Sequence, residues 1–286
     1  MKLLKCDLPV SHNIFLFGDL HIGTVLCHRD GIQQLIEMMQ SSYHSCTNNY
    51  GVCVGDMIEA IMVDDKRYDI ETTAEPFPLQ QVKDAVKTLS PIASKLLCIL
   101  KGNHEQKLWK FGDLAKEIAD QLNVPYGTWT AKLTINDREK KNSKYLYKIF
   151  ATHGRKSITS TADDPKRRLV NQRLILKRHL KFKAGDCVVQ VKGHTHKLIV
   201  CAPEEELYLI DDGKKVKQKY ISSSQNAPYI HPDHRYYINS GSFYKLYGKD
   251  GISSYAEIAE YDPLELGFCI LMVRDGKIQG VERIVL

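Results

Sequence analysis

The chain has 286 residues, of which 43% are hydrophobic and 26% charged, with 40 basic against 34 acidic side chains. This balance is typical of a globular protein and excludes a wholly disordered, collagen-like or bare coiled-coil chain. No stretch approaches 18 consecutive apolar residues, so we expect no transmembrane helix. The first apolar run is too short for a signal peptide, which predicts a cytoplasmic protein. The mild positive charge permits an anionic substrate.

Five short apolar runs, each followed by a turn that contains Gly, Asp, Asn or His, predict five buried strands. With their turns they occupy residues 14–23, 52–57, 96–105, 147–154 and 188–196. Apolar residues at helical spacing predict helices over about 32–39, 79–89 and 108–122 between and after the first three strands. Alternating strands and helices imply an α/β core, in which sites form outside the carboxyl ends of the strands.

The second half of the chain has a different pattern, because short strand-like runs alternate with turn signals from residue 198 onward. These turn signals lie at 211–213, 249–251 and 275–276, and the last of them predicts a terminal hairpin over 267–286. We expect this half to form a second, largely antiparallel sheet packed on the first. No linker is visible, so residues 1–286 are predicted to form one domain, with flap insertions at about 59–78 and 211–235.

Side chains suited to metal binding follow all five predicted strands. They are Asp19 and His21; Asp56; Asn103 and His104; His153; and His194 and His196. One histidine beside a strand is more often a hydrogen-bonded surface or core residue, but five turns of one kind at the same strand end are hard to reach by chance. Two divalent cations about 3.5–4 Å apart need such mixed oxygen and nitrogen ligands, with a carboxylate between them. Glycines beside these residues are expected to let the backbone turn sharply and to keep Cβ atoms out of a crowded site.

Five motifs, in order, give the chain a resemblance to the calcineurin-like metallophosphoesterases, whose pattern runs D-x-H, G-D, G-N-H-[DE], H and G-H-x-H. They stand here as Gly18-Asp-Leu-His21, Gly55-Asp56, Gly102-Asn-His-Glu105, Thr152-His-Gly154 and Gly193-His-Thr-His196. An N-x-G-S segment at 239–242 also resembles one that many members carry. The resemblance implies an α/β fold of the metallophosphoesterase sandwich type: two mixed β-sheets packed face to face, with flanking helices.

The resemblance also implies roles for these side chains. One ion would be held by Asp19, His21, Asp56 and His196, and the other by Asp56, Asn103, His153 and His194, with Asp56 as the bridge. His104 would contact the phosphate and stabilise or protonate the leaving oxygen. The implied chemistry is hydrolysis of a phosphoester by a hydroxide that two metals activate. This mixed ligation suits manganese, iron or zinc, and manganese is the expected activating ion.

A strongly basic segment begins directly after His153. Residues 155–183 contain ten Lys or Arg against two Asp, and the Asp164–Pro165 pair predicts the start of a helix over 165–181. The segment is either a solvated basic face or an electrostatic guide for polyanions. Arg155 is the candidate phosphate contact. Aromatic residues at 229, 236, 237, 243, 244 and 247 are either sheet packing or a stacking surface for a base.

Three functions remain open at this point. The first is a metal-dependent phosphodiesterase or phosphatase acting on small or nucleotide-like phosphoesters. The second is a DNA exonuclease or endonuclease, because the opening at 18–23 is similar to that of the break-repair nucleases of the same superfamily; the terminal hairpin is expected to leave no room for their cap and partner-binding regions. The third is a non-catalytic scaffold on the same fold, in which broken ligands would be expected.

Overall fold

A computed structural model describes residues 1–140, 145–221, 223–248, 252 and 254–286 of the chain. Thirteen strands are described: β1 (Lys2–Leu8), β2 (His12–Phe17), β3 (Asn49–Cys53), β4 (Leu96–Ile99), β5 (Thr130–Asp137), β6 (Tyr147–Thr152), β7 (Val189–Lys192), β8 (Leu198–Cys201), β9 (Leu207–Asp211), β10 (Val216–Tyr220), β11 (Tyr236–Ser240), β12 (Gly267–Arg274) and β13 (Lys277–Val285). The α-helices of this part of the chain are α1 (Arg29–Gln40), α2 (Pro78–Leu89), α3 (Asn103–Lys107), α4 (Leu114–Gln121), α5 (Pro165–Leu180) and α6 (Tyr255–Ile258). None of them is long and apolar enough to span a membrane.

The first sheet has five strands in the order β13-β12-β2-β3-β4. Strands β2, β3 and β4 are parallel, whereas β12 pairs antiparallel with both β2 and β13. The three predicted strands of the first half and the predicted terminal hairpin are therefore confirmed. The hairpin joins the sheet of the first half, with Asp275 and Gly276 both at positive φ in its turn.

The second sheet has six strands in the order β1-β5-β6-β7-β11-β8. Three of its neighbouring pairs are parallel and two are antiparallel, so the expectation of a largely antiparallel sheet is wrong. Parallel neighbours need a long crossover, and α5 provides one between β6 and β7. The N-terminal strand β1 adds another parallel pair with β5.

Both sheets share one buried apolar cluster. It combines Ile14 and Leu16 of β2 with Leu133 of β5, Ile149 of β6 and other side chains of the second sheet. A second cluster covers the opposite face of the first sheet with α1, α2 and α4, and a third packs Leu176 and Leu180 of α5 against the second sheet. The chain is thus an α/β protein with two mixed sheets and flanking helices.

The helices agree with the sequence patterns at α1, α2 and α5. Asp164 caps α5 by accepting a hydrogen bond of 2.6 Å from the Arg167 backbone N–H, as expected from the Asp–Pro pair. The prediction of one continuous helix over 108–122 is wrong, because a short 3₁₀ helix at Trp109–Phe111 ends at Gly112, whose φ is 100°. Asp113 then caps the separate helix α4.

Residues 207–221 contain a two-stranded hairpin of β9 and β10. The segment expected as a flap over about 211–235 contains the strand β10. The turn signal at 249–251 lies outside the described residues. All eight cysteines are free thiols, and six of them are buried.

Candidate metal centre

The carboxyl ends of β2, β3 and β4 lie side by side, and backbone hydrogen bonds hold the turns that follow β2 and β3 together. The Asp19 N–H donates to the Gly55 carbonyl at 2.9 Å, and the His21 N–H donates to the Asp56 carbonyl at 3.1 Å. In the second sheet, the Gly193 N–H donates to the Thr152 carbonyl at 3.2 Å. The parallel strands thus bring their polar turns to one edge of each sheet.

Five of the seven predicted ligands have a left-handed backbone. Their φ angles are 52° at Asp19, 51° at His21, 51° at Asp56, 75° at His194 and 54° at His196. Such a conformation costs a non-glycine residue on the order of 1 kcal/mol and persists only where the surroundings enforce it. The expected role of the flanking glycines holds at Gly55 and Gly154, whose φ angles are 100° and 74°, and the ligand residues carry left-handed angles as well.

Gly102 and Gly193 meet the other expectation, that Cβ atoms must be kept out of the site. A Cβ on Gly102 would lie 1.9 Å from Asp56 Oδ1, and one on Gly193 would lie 3.0 Å from Asp19 Oδ2. The first distance is far inside van der Waals contact. Only glycine therefore fits at position 102 without moving the Asp56 carboxylate.

The predicted ligands meet in two groups. In one group, the ligand atoms of Asp19, His21 and His196 all lie within 4.8 Å of one another. His21 Nε2 and His196 Nε2 are 3.1 Å apart, and His196 Nε2 is 3.5 Å from Asp19 Oδ1. Three of the four side chains predicted for the first ion therefore converge on one small volume.

The second group contains Asp56, His153 and His194, whose ligand atoms also lie within 4.8 Å of one another. Asn103 joins it, because its Oδ1 is 2.9 Å from His153 Nε2, while Asp56 Oδ2 is 3.2 Å from the same nitrogen. All four side chains predicted for the second ion are thus brought together. The bridging role of Asp56 remains a prediction.

Hydrogen bonds to Nδ1 of two predicted ligands, His153 and His21, leave Nε2 of each ring for a cation. His153 Nδ1 donates to the Val54 carbonyl at 2.8 Å, and His21 Nδ1 is 2.6 Å from Glu59 Oε2. In both rings Nε2 remains for metal binding, and this is how supporting groups orient metal-binding histidines. Glu59 was left out of the predicted ligand set, and the structure places it behind His21.

The acidic members of the two groups carry negative charge. Burial alone would raise the pKa of Asp56, but His153 and His104 outweigh it and hold that pKa well below its ordinary value. Burial opposes charge on His153 as well, but Asp56 raises the pKa of this imidazole to about 9. Buried carboxylates, imidazoles and an amide oxygen suit a divalent transition-metal ion, so the residues present fit the expected cofactor.

His104 is fixed by two hydrogen bonds, one to a predicted ligand and one to the backbone of Glu59. Its backbone N–H donates to Asp56 Oδ1 at 2.9 Å, and its ring Nδ1 donates to the Glu59 carbonyl oxygen. This pairing leaves Nε2 for other partners, and His104 lines a cleft beside the ligand groups. His104, Glu59 and His21 form a third group of mutually close ligand atoms, so metal binding by His104 is an alternative that an experiment must decide.

Glu105 and the N-x-G-S segment support the site, although neither is a predicted metal ligand. Glu105 Oε1 accepts from the Met57 N–H at 2.6 Å, and its Oε2 accepts from the Gly102 N–H at 2.9 Å. Burial, together with the charge of Asp56, raises the pKa of Glu105 to about 7. Glu105 stands in a predicted motif without a predicted role, and its two hydrogen bonds tie two ligand-bearing turns together.

The N-x-G-S segment supports the site from behind. Asn239 Nδ2 donates to Thr195 Oγ1 at 2.7 Å, within the turn that carries His194 and His196. Ser242 Oγ donates to the Asp19 carbonyl at 3.1 Å. The segment therefore links the ligand turns of both sheets.

The ligand groups open into a cleft of about 490 Å³. Six of the predicted site residues line it: His21, Asp56, Asn103, His104, His194 and His196. The segment 59–78, expected as a flap, contributes Arg67 to the lining, whereas 211–235 contributes no described residue. Lys197 and Tyr244 also line the cleft, and the Tyr244 ring lies 4.9 Å from the His21 ring.

Arg67 and Lys197 were missed by the sequence reasoning, because neither stands in a motif. Tyr244 was named only within a set of aromatic residues. Arg155, the predicted phosphate contact, does not line the cleft: it is exposed, its guanidinium lies 5.3 Å from the Trp129 ring centre, and it lines a second hollow.

No protein-family model matches this chain, and no curated protein matches it either. The functional conclusion therefore depends on the geometry of the site and on the motifs that form it.

Proposed function

We propose that this protein is a metal-dependent phosphoester hydrolase, a phosphodiesterase or phosphatase with the metallophosphoesterase type of α/β sandwich. The observation that carries the proposal is the convergence of seven predicted ligands, from five separate turns, into two adjacent groups of ligand atoms. Each turn follows a strand end, and both sheets contribute to both groups. A chance collection of surface histidines would not share this arrangement.

The two groups would hold two divalent cations, with manganese expected first and iron or zinc as alternatives. When bound, such cations supply Lewis acidity, which neutralises phosphoryl oxygens and acidifies a water molecule. The supporting contacts favour this use, because Glu59 and the Val54 carbonyl bind Nδ1 of His21 and His153 and so orient the Nε2 atoms of both rings.

The protein's own groups would bind and orient the phosphoester. Arg67 and Lys197 bring positive charge to the cleft that contains the ligands, and Tyr244 brings an aromatic wall. His104, fixed through Nδ1, would present Nε2 to the leaving oxygen and stabilise or protonate it. A cleft of about 490 Å³ has room for a nucleotide-sized substituent.

Metal-loaded protein should hydrolyse bis-p-nitrophenyl phosphate, p-nitrophenyl phosphate or both, and chelation should abolish the turnover. The same preparation should contain close to two transition-metal ions per chain. Protein that is loaded with metal but turns over neither ester would favour the scaffold alternative, as would protein that binds fewer than about one ion after reconstitution. Turnover that survives chelation would contradict the proposal.

A further inference from the structure

A second hollow, of about 580 Å³, is built from the chain segments that leave the candidate metal centre. Four residues between 60 and 65 follow Glu59, residues 106–111 run from the end of α3 through the 3₁₀ helix, and Arg155 lies two residues after His153. We call this second hollow the aromatic hollow. The two hollows have adjacent walls, because Glu59 and Ile61 line the cleft of the metal centre, whereas Ala60 and Met62 line the aromatic hollow.

Two large aromatic side chains stand exposed at the aromatic hollow. Trp109 is 64% exposed and Phe111 is 56% exposed, while Leu108 between them and α3 is only 6% exposed. The short 3₁₀ helix thus anchors itself through Leu108 and presents two rings to solvent. The chain has only two tryptophans, and the other one, Trp129, lies under the Arg155 guanidinium. Trp109 and Arg155 line the same hollow.

The charges of the aromatic hollow favour an anion. Lys107, Lys110 and Arg155 face Asp64 and Asp65. Asp65 Oδ2 is already 2.9 Å from Arg67 Nη2 and 3.2 Å from Lys107 Nζ, so its charge is shared with two cations. Lys110 and Arg155 add positive charge beside the exposed rings.

We propose that the aromatic hollow binds a nucleotide of a single-stranded nucleic acid, with Trp109 and Phe111 stacking on bases and Lys110 and Arg155 contacting phosphates that flank the scissile one. The inference rests on the proposed function, because it places the scissile phosphate at the metal centre. Exposed rings interleaved with cations are the combination that binds single strands, since every base has a face to stack and every link a negative charge. If an apolar protein surface bound to the two rings instead, Lys110 and Arg155 would have no anionic partner in it. Arg155 then binds substrate, but away from the reacting phosphate.

The test is the affinity of manganese-loaded protein for a fluorescent, nuclease-resistant phosphorothioate oligothymidylate of about twelve nucleotides, measured by anisotropy. Trp109→Ala and Phe111→Ala should each weaken binding at least about fivefold. Lys110→Ala should lower the slope of log affinity against log salt by about 0.7. Tyr220→Ala is the matched control, because this equally exposed aromatic lies on β10, and its affinity should equal that of the wild type.

Turnover of bis-p-nitrophenyl phosphate is measured on the same preparations and should be unchanged in these variants, since the small ester does not reach the aromatic hollow. Wild-type affinity in Trp109→Ala and Phe111→Ala, or binding to the wild type that ignores salt, would overturn the inference while leaving the proposed function intact. Absence of ester turnover in the wild type, with or without oligonucleotide binding, would instead remove the proposed function.

Discussion

His104→Ala separates a residue that acts on the substrate from a residue that binds metal. The substitution removes the ring and its Nδ1–H bond to the Glu59 carbonyl, but it keeps the backbone N–H that donates to Asp56 Oδ1. The ligand groups around Asp19 and Asp56 keep all their members. We therefore expect little change in metal content and a fold that loses only about 1 kcal/mol, the usual value of one hydrogen bond.

The expected loss of turnover is much larger. A positioned acid that assists a leaving group contributes about 10²- to 10⁴-fold, which corresponds to about 3–5 kcal/mol of the activation barrier. The effect should fall on kcat for bis-p-nitrophenyl phosphate, and it should shrink for esters whose leaving group needs no proton. His194→Ala is the matched variant, because it removes a predicted ligand and should lose metal and activity together.

Metal analysis by plasma mass spectrometry, with circular dichroism as a check on folding, decides between the two roles. His104, Glu59 and His21 also form a group of close ligand atoms, so a metal role for His104 is physically reasonable. If His104→Ala loses an ion as His194→Ala does, the assignment to the leaving oxygen is wrong. Unchanged turnover with full metal content would refute both roles.

Three other predictions follow from contacts around the same fold. Asp56→Asn keeps an oxygen for the His104 N–H but removes the charge, so metal content should fall at both sites, and two ions retained per chain would refute the bridge. Gly102→Ala should lose metal because the new Cβ would lie 1.9 Å from Asp56 Oδ1, whereas Gly280→Ala, with nothing within 4 Å, should bind metal as the wild type does. Burial lowers the pKa of His12 to about 4, despite its hydrogen bond to Pro9. The imidazole is therefore protonated at a lower pH in the folded state than in the unfolded chain. The contribution of His12 to stability should therefore fall by about 2 kcal/mol between about pH 7 and pH 5, so urea unfolding of His12→Gln should show a smaller loss than the wild type; an identical loss in the variant would contradict the assignment.

The sequence predicts the ligand-bearing half of the fold well because two signals coincide there. A strand such as β2 is buried along its whole length, since both of its faces are covered, and its last four residues are apolar. A polar turn follows at once. β1 and β5 lack this contrast: alternate residues of β5 are only half-buried, and lysines interrupt both strands. Their pairing depends on contacts between residues about 130 positions apart, which no local pattern records.

The site itself is predictable in composition and not in conformation. The residue type and motif spacing of Asp19 and His194 predict both as metal ligands. Nothing in the sequence indicates that both residues have φ above 50°. That strain comes from the backbone hydrogen bonds between neighbouring turns and from the packing of the two sheets. Arg67 could not be predicted for a similar reason. It lies in an irregular segment, and only the folded path of that segment brings it to the cleft.

The distribution of the ligands between the sheets explains why that strain can persist. Asp19 and His21 follow β2 of the first sheet, but the third member of their group, His196, follows β7 of the second. In the other group, Asp56 follows β3, whereas His153 and His194 follow strands of the second sheet. Each proposed ion would therefore bind residues of both sheets, and the apolar cluster between the sheets sets the distances within each group. The left-handed residues are therefore held in place by packing that the whole fold contributes, and not only by their own turns.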